Sequence, residues 1–210
     1  MTAQLLGFVA ASLAIIVVPG PDLVLLLRNA ARSGRRGAAA TAAGIMLGNA
    51  ILAAAAVAGL TALLTGSQLL YSALRIAGAV YLVHLGGRAL IDLVRARHDD
   101  AAPTAPEPAT AASSSQAFRQ GLVSNLLNPK VAAFYLSLFP QFALPGMPTL
   151  AQHALLAGLF WGLALVWYAV VVTVLGRIQA VLRRRRVRRA ISGVSGVALL
   201  GLGAALALRD

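Results

Sequence analysis

Cysteine is absent from this chain of 210 residues, and charged residues are scarce, at 11%. The lack of cysteine excludes disulfides, thiolate metal sites, cysteine nucleophiles and thiol redox relays. Soluble domains usually contain about 25% charged residues, so this chain has too few to cover a water-exposed surface. Its 59% hydrophobic residues exclude disorder. The composition therefore predicts a membrane protein.

Stretches without Asp, Glu, Lys or Arg predict where the chain crosses the membrane. The stretch from Val131 to Gly176 is more than twice as long as the about 20 residues that one spanning helix needs, so it must fold back. We predict an all-α fold of six transmembrane helices, at 4–27, 39–65, 69–94, 118–142, 150–176 and 190–208. The segment 99–116, rich in Pro, Ala and Ser, is predicted to be a flexible cytoplasmic linker. It separates two regions of three helices each, 1–98 and 117–210.

The basic residues predict the orientation. Of the 18 basic residues, 15 fall in the first, third and fifth loops or in the helix ends next to them. Positive charges mark cytoplasmic loops, so both termini are predicted to lie on the outer side. The arginine run 183–186 then anchors the topology and contacts lipid headgroups. We therefore predict no nucleic-acid partner, despite a net charge of +12.

Short patterns recur in the two halves of the chain. Gly44-x-x-x-Gly48 recurs as Gly158-x-x-x-Gly162, and these glycines are predicted to let helices pack closely. Because each half contains three spans, the second half enters the membrane from the opposite side. The halves are therefore predicted to form an inverted repeat, an architecture that secondary transporters favour.

Proline interrupts the first and fourth predicted helices inside the membrane. Pro19, Gly20 and Pro21 break the first, and Pro129 breaks the fourth. Backbone groups freed by such breaks are tolerated only where they are buried in protein or line a wet cavity. Matched breaks in two halves are the best sequence indication of a transporter's binding site.

A charged residue lies next to each break. Asp22 is in the first predicted helix, and Lys130, the only lysine of the chain, is in the fourth. Each costs about 2.5–3.5 kcal/mol at the bilayer centre. One interpretation is structural, either an Asp22–Lys130 ion pair or a lysine that reaches the headgroups. The other is an anion site and a cation site across one cavity, which would suit a zwitterionic amino acid. Asn49, Asn125 and Asn128 either bind the same ligand or tie down the broken backbone.

Other kinds of site lack support in the sequence. No two histidines have the spacing of metal ligands, and Lys130 does not follow a phosphate-binding glycine loop. Within the predicted spans there is no Ser/His/Asp set, so we predict neither an enzyme nor a metal or cofactor site. His153 is expected to lie solvated at the edge of an outer loop.

The chain resembles the LysE/RhtB family of bacterial amino-acid exporters over nearly its full length. The resemblance rests on a set of short patterns in one order: Pro19-Gly20-Pro21-Asp22, Gly34-Arg35-Arg36-Gly37, Gly44-x-x-x-Gly48-Asn49, Gly78-Ala79-Val80-Tyr81-Leu82, Asn128-Pro129-Lys130 and Phe139-Pro140-Gln141-Phe142. It implies six helices in the plasma (inner) membrane and export of amino acids or close derivatives, coupled to the proton or ion gradient. Many members carry Asp where this chain has Asn49, which leaves Asp22 as the candidate for coupling.

Two alternatives to amino-acid export stay open from the sequence. The first is efflux of a metal cation, against which the shortage of membrane carboxylates and paired histidines argues. The second is a membrane scaffold that transports nothing, in which the inserted charges only pair helices. The sequence also leaves open whether the chain acts alone or as a homo-oligomer.

Overall fold

The computed structural model describes residues 2–66, 113–142, 144 and 146–175, with single positions at 69, 73, 76, 80, 83, 84, 87, 91 and 197. Its helices are α1 (Thr2–Val17), α2 (Pro21–Gly66), α3 (Ser114–Leu126), α4 (Pro129–Leu138) and α5 (Thr149–Thr173), with a 3-10 turn at Phe139–Gln141. No strand occurs in this part of the chain, so the all-α prediction is confirmed for it. Apart from those single positions, the predicted spans 69–94 and 190–208 lie outside the described residues, as do 99–112 of the linker and the arginines of the fifth loop.

Helix α2 is two arms joined by a sharp turn at Ser33 and Gly34, where Gly34 has φ 61° and ψ −152°. Positive φ of this kind favours glycine. The Asn29 side-chain amide donates to Thr41 Oγ1 at 2.9 Å, although residues this far apart in a straight helix are separated by about 18 Å. The chain therefore reverses here, and a tight turn replaces the loop expected between the first two predicted spans.

Two pairs of helices stand where the sequence predicts the first and fourth spans. Residues 18–20 are non-helical between α1 and α2, and Leu127 and Asn128 separate α3 from α4. Pro21 and Pro129 are the first residues of α2 and α4, a position that needs no backbone N–H donor. The Asn128 side chain caps α4 by accepting from the Lys130 backbone N–H at 3.0 Å.

Helix α3 packs directly on the second arm of α2 through glycines. A Cβ at Gly44 would overlap the Phe118 carbonyl oxygen, and a Cβ at Gly121 would overlap that of Thr41. Such close backbone approach is how small residues hold membrane helices together. By contrast, at Gly158 and Gly162 an added Cβ would meet no atom of the described residues within 4 Å, so their packing role stays a prediction.

The buried apolar side chains form two clusters. The aromatic cluster joins α1, α4, the 3-10 turn and α5, and its rings are those of Phe8, Phe134, Tyr135, Phe139, Phe142 and Phe160. The second cluster joins both arms of α2 to α5 through Leu26, Ile45 and Val171, with Trp167 and Tyr168 against it. By length and composition alone, the described residues include two candidate membrane spans, Pro21–Gly59, which contains the turn at Gly34, and Thr149–Thr173.

Candidate functional site

The two helix breaks meet at a small cavity that lies between the aromatic cluster and the second cluster. Its volume is about 30 Å³, which is room for one or two water molecules. The polar side chains at its wall are those of Asp22, Asn49, Asn125, Lys130 and Tyr168. Among the lining residues that the structure describes, Asp22 and Lys130 alone carry charge.

Asp22 is buried, with 4% of its surface exposed, and its carboxylate accepts three hydrogen bonds. Oδ1 accepts from Ser124 Oγ at 2.7 Å, and Oδ2 accepts from the amides of Asn125 and Asn128, each at 2.8 Å. All three partners donate, which suits an ionised carboxylate. Asp22 also lies in the first turn of α2, where the helix dipole stabilises negative charge.

Lys130 extends its side chain from the first turn of α4 to the end of α1. Its ammonium donates to the carbonyl oxygens of Ile15, at 2.9 Å, and Val18, at 2.8 Å. These carbonyls lie at the carboxyl end of α1, where they lack helical partners and carry partial negative charge. A Cβ at Gly20 would lie 3.1 Å from the Lys130 Nζ, so glycine at this position leaves room for the ammonium.

Each of the two charged side chains is therefore bound by groups from the other half of the chain. Asp22 follows the first break and binds side chains from the second, while Lys130 follows the second break and binds backbone from the first. In the described part of the chain no salt bridge joins Asp22 and Lys130, although the two charges interact electrostatically, so the direct contact of the ion-pair interpretation is not seen there. Each charge is held separately by the other half.

These bonds leave each charge with unused capacity. A carboxylate offers about four acceptor positions and an ammonium has three N–H donors. Asp22 uses three of its acceptor positions and Lys130 uses two of its donors. In the described part of the chain one acceptor position of Asp22 and one N–H donor of Lys130 therefore remain.

The predicted asparagines lie at or beside the cavity in different roles. Asn125 and Asn128 orient Asp22, and Asn128 also caps α4. The side-chain oxygen of Asn49 accepts from the hydroxyl of Tyr135, which is 1% exposed. Asn125 Oδ1 is buried without a donor, against Gly48, where a Cβ would lie 3.1 Å from it. Gly48 therefore makes room for the Asn125 amide.

Sequence reasoning missed three residues of the site: Ser124, Tyr135 and Tyr168. Ser124 and Tyr135 hold Asp22 and Asn49, and Tyr168 lines the cavity. The available signal was their position on the same helices as predicted site residues. Of the remaining predicted residues, Pro19 and Pro21 are exposed and act through the backbone.

The prediction that His153 is solvated is wrong. His153 is fully buried and stacks on Phe139, with ring centroids 5.8 Å apart and planes 24° from parallel. Helix α5 begins at Thr149, so His153 lies one turn inside it and faces the aromatic cluster. Among the described residues no group of three His, Cys, Asp or Glu side chains is placed to hold a metal ion.

The chain is similar to known proteins over nearly its full length. Residues 13–210 match the family model described as LysE type translocator. The chain is similar to the uncharacterized membrane protein YrhP of Bacillus subtilis (strain 168), with 25% identity over 95% of this chain and 96% of that protein. No solved structure matches the chain.

Leucine efflux proteins are also similar to part of the chain. The one from Klebsiella pneumoniae subsp. pneumoniae is 34% identical over 65% of this chain and 62% of its own length. The one from Salmonella choleraesuis is 31% identical over 64% of this chain and 61% of its own length. The matched region therefore spans less than two thirds of these leucine efflux proteins.

Proposed function

Because the chain belongs to the LysE type translocator family, we propose that it is a secondary transporter that exports amino acids or close derivatives across the bacterial inner membrane. The observation that carries this proposal is that Asp22 and Lys130 both line one cavity, and that each keeps one unused hydrogen-bonding position. Export draws on the proton or ion gradient in this proposal, and no cofactor takes part.

The charges of the cavity match the main-chain groups of an amino acid. The substrate carboxylate takes the free N–H of Lys130, and its ammonium takes the free acceptor position of Asp22. Asp22 and Lys130 together leave the cavity with no net charge. A zwitterionic substrate with an uncharged side chain therefore keeps the occupied cavity neutral. A lysine-like substrate would leave one positive charge unpaired in a low-dielectric site, which is costly.

The remaining wall favours an apolar side chain. Val131, Phe134, Phe160 and Ala164 line the cavity beside the charged pair, and Phe134 stacks on Phe160 with a centroid distance of 4.1 Å. The leucine efflux proteins among the relatives support the same class of substrate. We therefore propose that neutral amino acids with branched apolar side chains are carried.

Transport requires the cavity to enlarge. Its volume of about 30 Å³ is far below the about 300 Å³ or more of typical ligand pockets. We propose that the two halves, as inverted repeats of three spans with both termini outside, move around the two breaks so that the site opens to one side at a time. Asp22 and Lys130 exchange their cross-half bonds during this movement.

Reconstitution into liposomes with an imposed pH gradient tests the function. Labelled leucine should leave or enter the vesicle lumen in the direction that the gradient drives, and lysine should compete poorly. Exchange of leucine without any gradient effect would contradict coupling. Absence of movement for a full panel of amino acids, with correctly inserted protein, would contradict the function itself.

The two alternative functions give different outcomes. A metal-efflux protein would raise the tolerance of cells to a divalent cation and leave their tolerance to a toxic leucine analogue unchanged. A scaffold would keep its phenotype when Asp22 and Lys130 are replaced together by Asn and Met. Loss of leucine movement in that double variant, with normal insertion, would exclude the scaffold.

A further inference from the structure

An open groove on the surface of α3 lies next to Ser124, one hydrogen bond away from Asp22. This inner groove has a volume of about 990 Å³. It is lined by Leu25 of α2 and, on α3, by Gln116, Arg119, Gln120, Val123 and Ser124. Ser124 therefore belongs to both sites: it lines the groove and donates its hydroxyl hydrogen to Asp22 Oδ1 at 2.7 Å.

The polar side chains of the groove are arranged in a line that ends at Asp22. Gln116, Gln120 and Ser124 follow one another at every fourth residue, so they share one face of α3 over about 12 Å of helix. The neighbouring face, formed by Ala117, Gly121 and Asn125, is buried. A helix carrying two glutamines, an arginine and a serine on its open face is costly against lipid, unless that face meets water.

The groove lies near segments that the basic residues predict to be cytoplasmic. Its lining includes Ser113 and Ser115 at the amino end of α3, which follows the predicted cytoplasmic linker. Gln120 accepts from the Asn29 amide at 3.0 Å, and Asn29 adjoins the turn at Ser33 and Gly34, in the arginine-rich first loop. Arg119, exposed at the groove wall, attracts the carboxylate of an approaching amino acid.

We propose that the inner groove is the water-filled cytoplasmic entrance of the transport path, and that the Ser124–Asp22 hydrogen bond is the gate between it and the substrate cavity. This rests on the proposed function. The substrate follows the line of Gln116 and Gln120 to Ser124. When Ser124 turns away, the path to Asp22 opens and Oδ1 gains a second free acceptor position, so that the substrate ammonium reaches the carboxylate.

The natural absence of cysteine allows a direct test with single-cysteine variants. Val123 lines the groove and is 53% exposed, whereas Val24 lies outside the groove and is 62% exposed, so Val123→Cys and Val24→Cys form a matched pair. In inside-out vesicles, a charged methanethiosulfonate should modify Val123→Cys at least about tenfold faster, because the reactive thiolate forms in water and not in hydrocarbon. A membrane-permeant maleimide shows that both thiols are present.

Equal rates for the two variants, or modification of Val123→Cys only by the permeant reagent, would show that the groove faces lipid and would overturn the entrance. Faster reaction in right-side-out than in inside-out vesicles would overturn its cytoplasmic location. Each of these results can coexist with leucine transport, so each leaves the proposed function standing. Rapid labelling without transport of any amino acid would instead contradict the function.

The role of Arg119 has its own readout. Arg119 and Val123 are neighbours on α3, at i and i+4. An anionic methanethiosulfonate should therefore react with Val123→Cys faster than a cationic one of the same size. Arg119→Gln should lower this ratio by about threefold or more, and Arg119→Lys should preserve it. An unchanged ratio in Arg119→Gln would remove Arg119 from the entrance.

The gate is tested at Ser124 itself. In Ser124→Cys, saturating leucine should slow modification by the anionic reagent, because substrate bound at Asp22 covers the thiol. The same concentration of leucine should leave the rate at Val123→Cys, nearer the mouth, within about twofold. Equal protection at both positions, or none at Ser124→Cys in vesicles that transport leucine, would overturn the gate.

Discussion

Asp22 and Lys130 occupy the same position in two different helices, the residue after the proline that begins α2 or α4. Each side chain binds the break that precedes the other helix. The carboxylate meets amide and hydroxyl donors, and the ammonium meets backbone carbonyls. Since the partners differ in kind, exchanging the two residues would place a carboxylate against the backbone carbonyls of Ile15 and Val18, which cannot donate.

Asp22→Asn should abolish gradient-coupled transport while leaving membrane insertion intact. The variant loses the charge that three donors stabilise, and its own amide hydrogens oppose those of Asn125 and Asn128. Hydrogen bonds to charged groups contribute about 1.5–3 kcal/mol each, so the detergent-solubilised protein should also melt at a lower temperature. Full coupled activity in Asp22→Asn would remove this carboxylate from the mechanism.

Gly20→Ala should weaken substrate binding without removing any charge. The new methyl carbon would lie 3.1 Å from the Lys130 Nζ, so the ammonium must shift. A cost of about 1 kcal/mol corresponds to an about fivefold rise in the apparent KM for leucine. Gly59→Ala is the control, because a Cβ there meets nothing within 4 Å in the described part of the chain. Identical KM values in the two variants would contradict the placement of the ammonium.

Gly44→Ala should destabilise the protein strongly. The added methyl group would overlap the Phe118 carbonyl oxygen, and the two helix backbones must separate at a cost of about 1–3 kcal/mol or more. Gly158→Ala should be neutral or slightly stabilising, since alanine favours the helix by up to about 1 kcal/mol. Melting temperatures in detergent compare them. An equal loss in Gly158→Ala would instead support the packing role predicted for Gly158 from the sequence.

Asn49→Asp should shift substrate preference from neutral towards cationic amino acids. The change adds a negative charge at the cavity, beside the Tyr135 hydroxyl, and the balance between Asp22 and Lys130 is lost. A change of about 1.4 kcal/mol between substrates corresponds to tenfold, which competition of unlabelled lysine against labelled leucine would detect. Asn49→Ala, which adds no charge, is the control and should not gain affinity for lysine.

The helix breaks were predictable from sequence because proline acts locally. Pro21 and Pro129 each remove a backbone donor and fix the backbone angle φ in any surroundings. The two interruptions therefore follow from the prolines alone. The sharp turn at Gly34 was not predicted, although its Ser33-Gly34 pair is a local signal. The arginines of the first loop predict the side of the membrane on which it lies, but they do not predict its backbone conformation.

The bonds that Asp22 and Lys130 make could not be predicted, because their partners lie more than 100 residues away in the chain. The same sequence allows a direct ion pair, and only the packing of α3 on α2 through Gly44 and Gly121 brings Ser124 and Asn125 to the carboxylate. Tyr168 was missed for a related reason. An aromatic residue in an apolar helix faces lipid or protein according to how that helix rotates, which the local pattern does not determine.

The arrangement of one anion, one cation and an aromatic wall around a single cavity has a stereochemical consequence. Asp22, Lys130 and the stacked pair of Phe134 and Phe160 provide three different surfaces for the three groups on the α-carbon of an amino acid. With two groups held by charge, one enantiomer points its side chain at the rings and its mirror image points it away from them. The same contacts that hold the substrate would therefore also distinguish left-handed from right-handed amino acids.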